Sequence, residues 1–402
     1  MLDFLSGEEE SNFNKDPFQL GTFEQIAHYR LGKTGRARRF SLSARARTTH
    51  REYGERRSQE TRLITYQINF ESVDGQAQIT SIDISGNQDQ LTASLGQNGL
   101  EVQVTSEGRT YSVERLRSFP RVARSEISRY WPLILRDLRF RVSRDRDGAQ
   151  SEMFDVELRD TLTILSNFAG AFSRQLSTPV LATSAIRTNP RRTYTPGTES
   201  EDGQGTHVPY EMAKLARGKK ETWKRIQDSI ESYGRSSEMF SKVHVKTFGK
   251  SASDPFQIQF SLGGPRVNMV DLGYGTSQVL PILYNIASSR TNTRFLIQQP
   301  EVHLHPRAQA ALGQHIVDRY RDSGRQFVIE THSDFIVDRI RMAVADRAIS
   351  ADDVSILFFE RDHLETSIKE IQLDKDGEPV NPPESYRNFF LGEQLRLLGV
   401  EL

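Results

Sequence analysis

Short apolar runs alternate with amphipathic segments in the last third of the chain, and no other feature of the sequence constrains the fold as strongly. Two runs, TRFLIQQ (293–299) and RQFVIET (325–331), are typical of buried strands. Between them, PRAQAALGQHIVDRYRDSG (306–324) has apolar residues at helical spacing and ends on Gly324, a residue favoured at helix C-termini. A second helical pattern, FIVDRIRMAVADR, follows. Because a strand–helix–strand–helix order produces βαβ units, the sequence predicts an α/β fold with a mostly parallel core sheet.

The patterning of the remaining chain predicts three regions. Residues 63–115 alternate apolar and polar residues between turn signals, which predicts an antiparallel β meander. Helical spacing predominates over 120–178 and 209–240, and residues 188–207 are rich in Pro, Gly, Thr and acids, which indicates a loop. The predicted regions are a β lobe over 1–115, a helical or arm insertion over 116–250 that contains this loop, and a C-terminal lobe over 251–402.

Composition excludes several classes of function. The chain has no cysteine, which excludes disulfides, thiolate metal sites and a cysteine nucleophile. No apolar stretch approaches the ~20 residues of a membrane span, and the acidic start does not resemble a signal peptide. We therefore expect a soluble, cytoplasmic protein with no membrane partner.

Net charge is zero, with 53 basic and 53 acidic residues, but arginine is concentrated locally. One Arg-rich segment lies between Arg30 and Arg62, and a second runs from Arg115 to Arg146. Such segments can neutralise DNA phosphates, or they can form a solvated β lobe with ion pairs. The candidate DNA-binding residues in the first segment are Arg36, Arg38, Arg39, Arg45 and Arg47.

A first candidate site is the glycine-bearing turn Asp271-Leu272-Gly273-Tyr274-Gly275-Thr276-Ser277-Gln278, which leads directly into an apolar helical pattern. Free backbone N–H groups and the helix dipole favour an anion at such a point. The alternative is an ordinary N-cap that contains glycine. Spacing alone does not separate the two interpretations.

Two further candidate sites follow the buried strands. FLIQQ leads into Pro300-Glu301-Val302-His303-Leu304-His305-Pro306, where Glu301, His303 and His305 would share one face of an extended segment and suggest a metal site. A loop with capping and packing roles is the alternative. Strand 325–331 leads into Thr331-His332-Ser333-Asp334, where His332 could bind a phosphate, orient a water or serve only a structural role.

In this order, GYGTSQVLPIL, QQPEVHLHPRAQAAL and VIETHSD resemble ABC-class ATPases of the SMC/RecF/OLD type, most closely AAA-15/AAA-21 proteins, over residues 265–345. The resemblance implies an ABC-type P-loop ATPase-like fold, ATP and Mg²⁺ as ligands, and nucleotide-driven dimerisation. The C-terminal lobe would carry the signature loop, Walker B strand and switch histidine. The implied nucleotide-binding residues are Leu272, Gly273, Tyr274, Gly275, Thr276, Ser277, Gln278 and, at the D-loop, His305. His332 would be the switch histidine that contacts the γ-phosphate.

Walker B departs from the family pattern. Two acids usually end this strand, one to hold Mg²⁺ and one to polarise the attacking water, but Gln298 and Gln299 occupy these positions. A glutamine amide oxygen can ligate Mg²⁺ weakly, but it cannot act as a base. Gln298 is therefore the candidate metal ligand, and Gln299 with the nearby Glu301 are the candidate catalytic positions beside His332.

The phosphate-binding pattern GxxxxGK[ST] does not occur in these residues. Gly32-Lys33-Thr34 has Ala27, and Gly249-Lys250-Ser251 has His244, where the first glycine belongs. One hypothesis is that the chain begins downstream of its natural start, since MLDFLSG resembles the helix after a P-loop. The other is a degenerate subunit that lends its signature loop to a partner.

Three functions follow from these patterns. The first is an ATP-binding ABC/OLD-like protein of DNA repair or antiphage defence, acting as a homodimer or hetero-oligomer with DNA, a nuclease or another effector. The second is a degenerate, non-hydrolysing DNA-binding or scaffold subunit. The third is a metal-dependent hydrolase that uses Glu301, His303, His305, His332 and Asp334.

Overall fold

The structure is a computed structural model of mixed α/β type. It describes residues 23–26, 37–51, 59–73, 76–86, 89–96, 99–106, 109–113, 179–197, 202–363, 365–387 and 396. The chain forms two compact units, Met1–Thr178 and Pro179–Leu402. Among the described residues, none of the helices has the length and apolar character needed to cross a bilayer.

The first unit contains a six-stranded antiparallel sheet whose strands follow chain order. Its elements are α1 (Phe23–Ile26), β1 (Arg39–Arg51), β2 (Gln59–Val73), β3 (Gln76–Gly86), β4 (Asp89–Gly96), β5 (Gly99–Ser106) and β6 (Arg109–Val113). Alternating side chains on β2, including Ile64, Tyr66, Ile68 and Phe70, are buried. This period-2 burial is what the sequence pattern predicted, and the predicted meander is confirmed.

Strand β1 was not predicted, because its arginines obscure an alternation of Phe40, Leu42 and Ala44 with polar residues. These three side chains are partly buried, whereas Arg38, Arg39 and Arg45 are exposed. The guanidinium of Arg39 forms an ion pair with Glu71 on β2.

Several sequence-based predictions lie outside the described residues. They are Arg36, the side chain of Arg47, the Arg-rich stretch 115–146, the helical pattern over 120–178 and the opening MLDFLSG.

The second unit contains a three-stranded parallel sheet and two three-stranded antiparallel sheets. In the parallel sheet, β11 (Arg294–Gln298) lies between β7 (Val180–Thr183) and β12 (Gln326–Glu330). The antiparallel strands are β8 (Lys242–Thr247), β9 (Phe256–Ser261) and β10 (Val267–Asn268), and then β13 (Ile356–Asp362), β14 (Glu365–Leu373) and β15 (Pro379–Val380). The helices are α2 (Val208–Gly218), α3 (Lys220–Ser237), α4 (Tyr274–Ser288), α5 (Pro306–Ser323) and α6 (Asp334–Ala345).

Helix α4 is at the centre of this unit. Every residue from Gly275 to Ala287 is buried, so this helix has no solvated face. Helix α3 packs against both α4 and α5, and α5 crosses from β11 to β12. Gly324 ends α5 with φ 61°, the left-handed conformation that the sequence predicted at this C-cap.

Helices α2 and α3 confirm the helical pattern predicted over 209–240. The division between compact units falls after Thr178, which differs from the predicted boundaries after residues 115 and 250. Residues 179–250 share a hydrophobic core with the C-terminal residues, through Val208, Ile230 and Phe256 among others. The three-region division remains a prediction.

His315 on α5 makes the second unit sensitive to acid. Burial, reinforced by the positive charges of Arg319 and Arg325, lowers the pKa of His315 from 6.5 to about 3. His315 is protonated near pH 6.5 in the unfolded chain but only near pH 3 in the folded chain. Folding stability is therefore complete above pH 6.5 and falls as the pH is lowered through this window.

Wild-type protein should lose unfolding free energy between pH 6.5 and pH 5, and we expect His315→Gln to make this loss smaller by about 2 kcal/mol. The reason is that one proton contributes about 1.4 kcal/mol per pH unit. Urea unfolding at several pH values measures this. The control is His363→Gln, because the side chain of His363 is 91% exposed. Parallel curves for wild type and His315→Gln would contradict the prediction.

Candidate functional site

The first predicted motif forms a tight turn before α4. Residues Met269–Asp271 make one 3-10 turn, in which Asn268 Oδ1 accepts a hydrogen bond from the Val270 N–H at 3.1 Å. Gly273 is the N-cap of α4, and its carbonyl accepts the Thr276 N–H at 3.1 Å. Within residues 271–278, the exposed ones are Asp271, Gly273 and Tyr274.

The following polar side chains point into the protein. Thr276, Ser277 and Gln278 are buried. Ser277 Oγ donates to the Tyr274 carbonyl at 2.7 Å, and Gln278 Nε2 donates to the Thr188 carbonyl at 3.4 Å. The outward groups of this motif are therefore backbone atoms, the Tyr274 ring and the Asp271 carboxylate, which is paired with Arg192, and nucleotide binding by Leu272 to Gln278 remains a prediction.

Gly275 allows the first motif to contact the second. A Cβ atom at Gly275 would lie 2.3 Å from the carbonyl oxygen of His303 and 3.3 Å from Leu304 Cδ2. The Tyr274 and His303 rings meet edge to face, with centroids 4.7 Å apart. Gly275 thus allows the start of α4 to lie close to the turn after β11.

That turn is not the extended segment that the sequence suggested. Gln299 and His303 have positive φ angles of 40° and 65°, so the chain reverses between them. Glu301 points to the turn after β12, His303 contacts Tyr274, and His305 Nδ1 accepts the Ala308 N–H at 3.4 Å as the N-cap of α5. The expectation of a shared face was therefore wrong, and the described residues contain no cluster of three or more His, Cys, Asp or Glu suited to a metal.

Glu301 joins the second motif to the third. Its Oε2 accepts the Thr331 hydroxyl at 2.8 Å, and its Oε1 accepts the His332 backbone N–H at 2.6 Å. The His332 side chain is exposed next to this contact, and Ser333 caps α6 by accepting the Ile336 N–H at 3.1 Å. Both carboxylate oxygens of Glu301 are thus used to hold the two turns together.

Gln298 and Gln299, which the family resemblance places at the Walker B positions, lie beside Glu330. Gln298 on β11 is in register with Glu330 on β12. The Gln299 backbone N–H donates to the Glu330 carbonyl at 2.8 Å, and its side-chain amide donates to Glu330 Oε1 at 3.4 Å. One carboxylate with a neighbouring amide oxygen suits Mg²⁺, which binds few protein ligands and fills its octahedron with water and substrate phosphates.

A segment that begins one residue before the predicted loop 188–207 connects these motifs. We call residues 187–192 the bridging segment. Arg187 is 3% exposed, and its Nη2 donates to the carbonyls of Gln298 at 2.9 Å and Gln299 at 3.1 Å. Its Nε and Nη1 are buried and have no hydrogen-bond partner among the described residues. Burial lowers the pKa of Arg187 to about 10, and the negative charge of Glu301 partly offsets this effect.

The bridging segment also holds the start of α4. Asn189 Oδ1 accepts a hydrogen bond from the Tyr274 hydroxyl, and Arg192 forms an ion pair with Asp271. The Arg192 guanidinium lowers the pKa of Asp271 through this hydrogen bond. These contacts were not predicted, because Arg, Asn and Pro in IRTNPRR (186–192) are equally typical of a solvated loop.

The family assignment rests on the chain as a whole. A family model described as "AAA domain, putative AbiEii toxin, Type IV TA system" (AAA_21) matches residues 2–338. This match covers most of the 402 residues, so the chain belongs to this family of AAA-domain ATPases. No curated protein sequence matches the chain.

Solved structures with similarity to the chain include SMC ATPases and heads of SMC proteins. The Smc head of Pyrococcus furiosus with an extended coiled coil, bound to the C-terminal domain of ScpA, is 9% identical, covers 85% of this chain and 82% of its own, and has a TM-score of 0.30. The SMC head of Thermotoga maritima is 9% identical over 79% of this chain and 75% of its own, with a TM-score of 0.29. A structure from work on ATP-driven dimerisation and DNA-stimulated activation of SMC ATPases is 12% identical. The match covers 44% of this chain and 94% of the SMC chain, with a TM-score of 0.29. TM-scores this low do not define a shared fold.

We expect Gly275→Ala to lower the unfolding free energy by about 1–3 kcal/mol, because the added methyl group overlaps the His303 carbonyl and the turn must shift. Chemical denaturation measures the change. Gly273→Ala is the matched control, since no atom lies within 4 Å of its Cβ position and its φ of −54° suits alanine. Equal losses of unfolding free energy in the two variants would show that the contact with His303 does not explain why glycine is needed at position 275.

Proposed function

We propose that this protein has an ABC-type P-loop ATPase-like fold and binds ATP with Mg²⁺, contributing the signature helix, the Walker B turn and the switch histidine to the site. One observation carries the proposal. Three segments distant in sequence meet at the carboxyl ends of β11 and β12, through the Gly275–His303, Glu301–His332 and Gln299–Glu330 contacts. The carboxyl ends of parallel strands are where α/β proteins bind ligands.

The proposed roles follow from exposure and charge. The start of α4 offers backbone N–H groups and a helix dipole to the γ-phosphate of a nucleotide held by an opposing subunit, with Tyr274 exposed beside them. His332, exposed on the turn after β12, donates a hydrogen bond to the γ-phosphate of the nucleotide at the strand ends of its own chain. His305 acts indirectly in this proposal, since it caps α5 and holds the turn that carries His303.

Slow hydrolysis is part of the proposal. Gln298 and Gln299 are neutral and cannot remove a proton from water. Glu301, the carboxylate nearest to them in sequence, already accepts hydrogen bonds from Thr331 and His332. ATP bound at this site therefore acts more through occupancy than through turnover.

Dimerisation is the proposed consequence of ATP binding. The start of α4 is exposed, whereas the rest of the helix is buried. A signature loop needs such exposure to reach a nucleotide held by an opposing subunit. The phosphate-binding pattern that completes such a site is not among these 402 residues. On the resemblance to SMC/RecF/OLD-type ATPases, we extend the proposal to a homodimer or hetero-oligomer that controls DNA or an effector such as a nuclease, in DNA repair or antiphage defence.

The full-length protein should bind a fluorescent ATP analogue and release phosphate slowly or not at all. Gln299→Glu should raise phosphate release at least about tenfold, because it places a general base at the proposed water-polarising position. The control is Gln326→Glu, at the opposite end of β12. Rapid Mg²⁺-dependent turnover by the wild type that His332→Ala abolishes would contradict slow hydrolysis, and absence of ATP binding would refute the site.

A second candidate function is a non-hydrolysing DNA-binding or scaffold subunit. The exposed Arg39 and Arg45 on β1, with Arg38 directly before this strand, favour it, since arginines along a strand can contact successive DNA phosphates. The ion pair between Arg39 and Glu71 favours the alternative, a solvated sheet face.

Replacement of Arg38, Arg39 and Arg45 by glutamine separates these two interpretations. A DNA-binding role predicts weaker binding to duplex DNA and a shallower salt dependence, by roughly 0.9 in the slope of log K against log salt for each phosphate that the variant no longer neutralises. Fluorescence anisotropy over a salt series measures both. Neutralising Lys219, Lys220 and Lys224, exposed lysines at the start of α3, is the charge-matched control, and equal effects of both sets would reject a DNA site on β1.

A further inference from the structure

Three carboxylates lie at or just after the carboxyl ends of β11 and β12, and the structure distinguishes their roles. They are Glu301, Glu330 and Asp334. A magnesium ion needs at least one carboxylate that is not already neutralised, since neutral amides bind it weakly. The glutamines at positions 298 and 299 therefore raise the question of which carboxylate supplies the charge.

Glu301 is occupied by its own protein. Both of its oxygens accept hydrogen bonds from the turn after β12, at 2.8 and 2.6 Å. The buried guanidinium of Arg187 also interacts favourably with its charge. Removing Glu301 from these contacts to bind a metal would leave the Thr331 hydroxyl and the His332 N–H without a partner.

Asp334 is neutralised in a different way. Its Oδ1 lies 2.9 Å from Arg387 Nη2, and the same guanidinium also contacts Asp338 at 2.7 Å. Asp334 is in the first turn of α6, where the helix dipole also stabilises its negative charge.

Glu330 differs from both. It is exposed at the last position of β12 and lies in register with Gln298. Its carboxylate accepts one long hydrogen bond, 3.4 Å from the Gln299 amide, and no lysine or arginine of the described chain forms an ion pair with it. Its charge is therefore available at the position where Gln298 is its register partner on the neighbouring strand.

We propose that Glu330 is the metal-binding carboxylate of this site and holds the Mg²⁺ of MgATP together with the amide oxygen of Gln298. The inference rests on the proposed ATP site. It assigns to Glu330 on β12 the negative charge that an acid at position 298 on β11 would otherwise supply. Glu301 is then a positioning residue that keeps the turn of His332 next to the metal. The bound Mg²⁺ offsets the repulsion between the phosphates and Glu330.

Electron paramagnetic resonance of Mn²⁺, titrated into the full-length protein with ATP, tests this assignment directly. Glu330→Gln keeps the shape of the side chain and removes its charge, and it should weaken Mn²⁺ affinity at least about tenfold, with little change in ATP affinity measured in EDTA. Gln298→Glu in the Glu330→Gln background should restore Mn²⁺ affinity, because it returns one carboxylate to the same register position.

Two control variants make the outcome specific. Glu365→Gln, on the exposed end of β14, should change Mn²⁺ affinity less than twofold. Glu301→Gln should lower the melting temperature while Mn²⁺ affinity stays within about threefold, since it loses charge-assisted hydrogen bonds instead of a metal ligand. Wild-type Mn²⁺ affinity in Glu330→Gln, with ATP binding intact, would overturn this inference alone. Absence of ATP binding by the wild type would overturn the proposed ATP site and this inference together.

Discussion

The hydrogen bonds of Glu301 are the interaction on which the rest of the site depends. One carboxylate joins the turn after β11 to the turn after β12, and in doing so sets the backbone of His332. Charge-assisted hydrogen bonds of this kind are stronger than neutral ones, and their geometry is correspondingly restrictive. The buried Arg187 supports the arrangement, because it donates to the carbonyls of Gln298 and Gln299 while its charge faces Glu301. Two loops that are 30 residues apart in sequence are thereby held as one surface.

The buried helix α4 provides the second constraint. A helix that is enclosed from Gly275 to Ala287 cannot shift without disturbing the whole core, so its start is a fixed point. Gly275 lets this fixed point contact the His303 carbonyl, and the bridging segment ties Tyr274 and Asp271 to the same region. These contacts hold the backbone of the resulting surface. His332 and Glu330 are exposed on it, which is why the proposed functions of phosphate and metal binding fall on them.

Local periodicity explains which elements could be predicted. Strands β11 and β12, helix α5 and its Gly324 cap have patterns that depend on a few neighbouring residues, and they form where the sequence indicated. The meander was predicted for the same reason. Strand β1 was not, because charge masked its alternation, and the bridging segment was not, because its role depends on partners about 80 to 110 residues away.

The sequence by itself determined the class of protein and the chemistry of each side chain near the site: two amides where acids are usual, and a histidine after the second strand. Only the tertiary structure decided how these groups are used. It turned Glu301, His303 and His305 in three directions, because positive φ angles at Gln299 and His303 reverse the chain between them. It also left Glu330 in register with Gln298 and without a cation among the described residues, while Glu301 became a structural hydrogen-bond acceptor. The physical reason is that residue type sets what a group can bind, whereas strand register and long-range hydrogen bonds set which groups remain free to bind it.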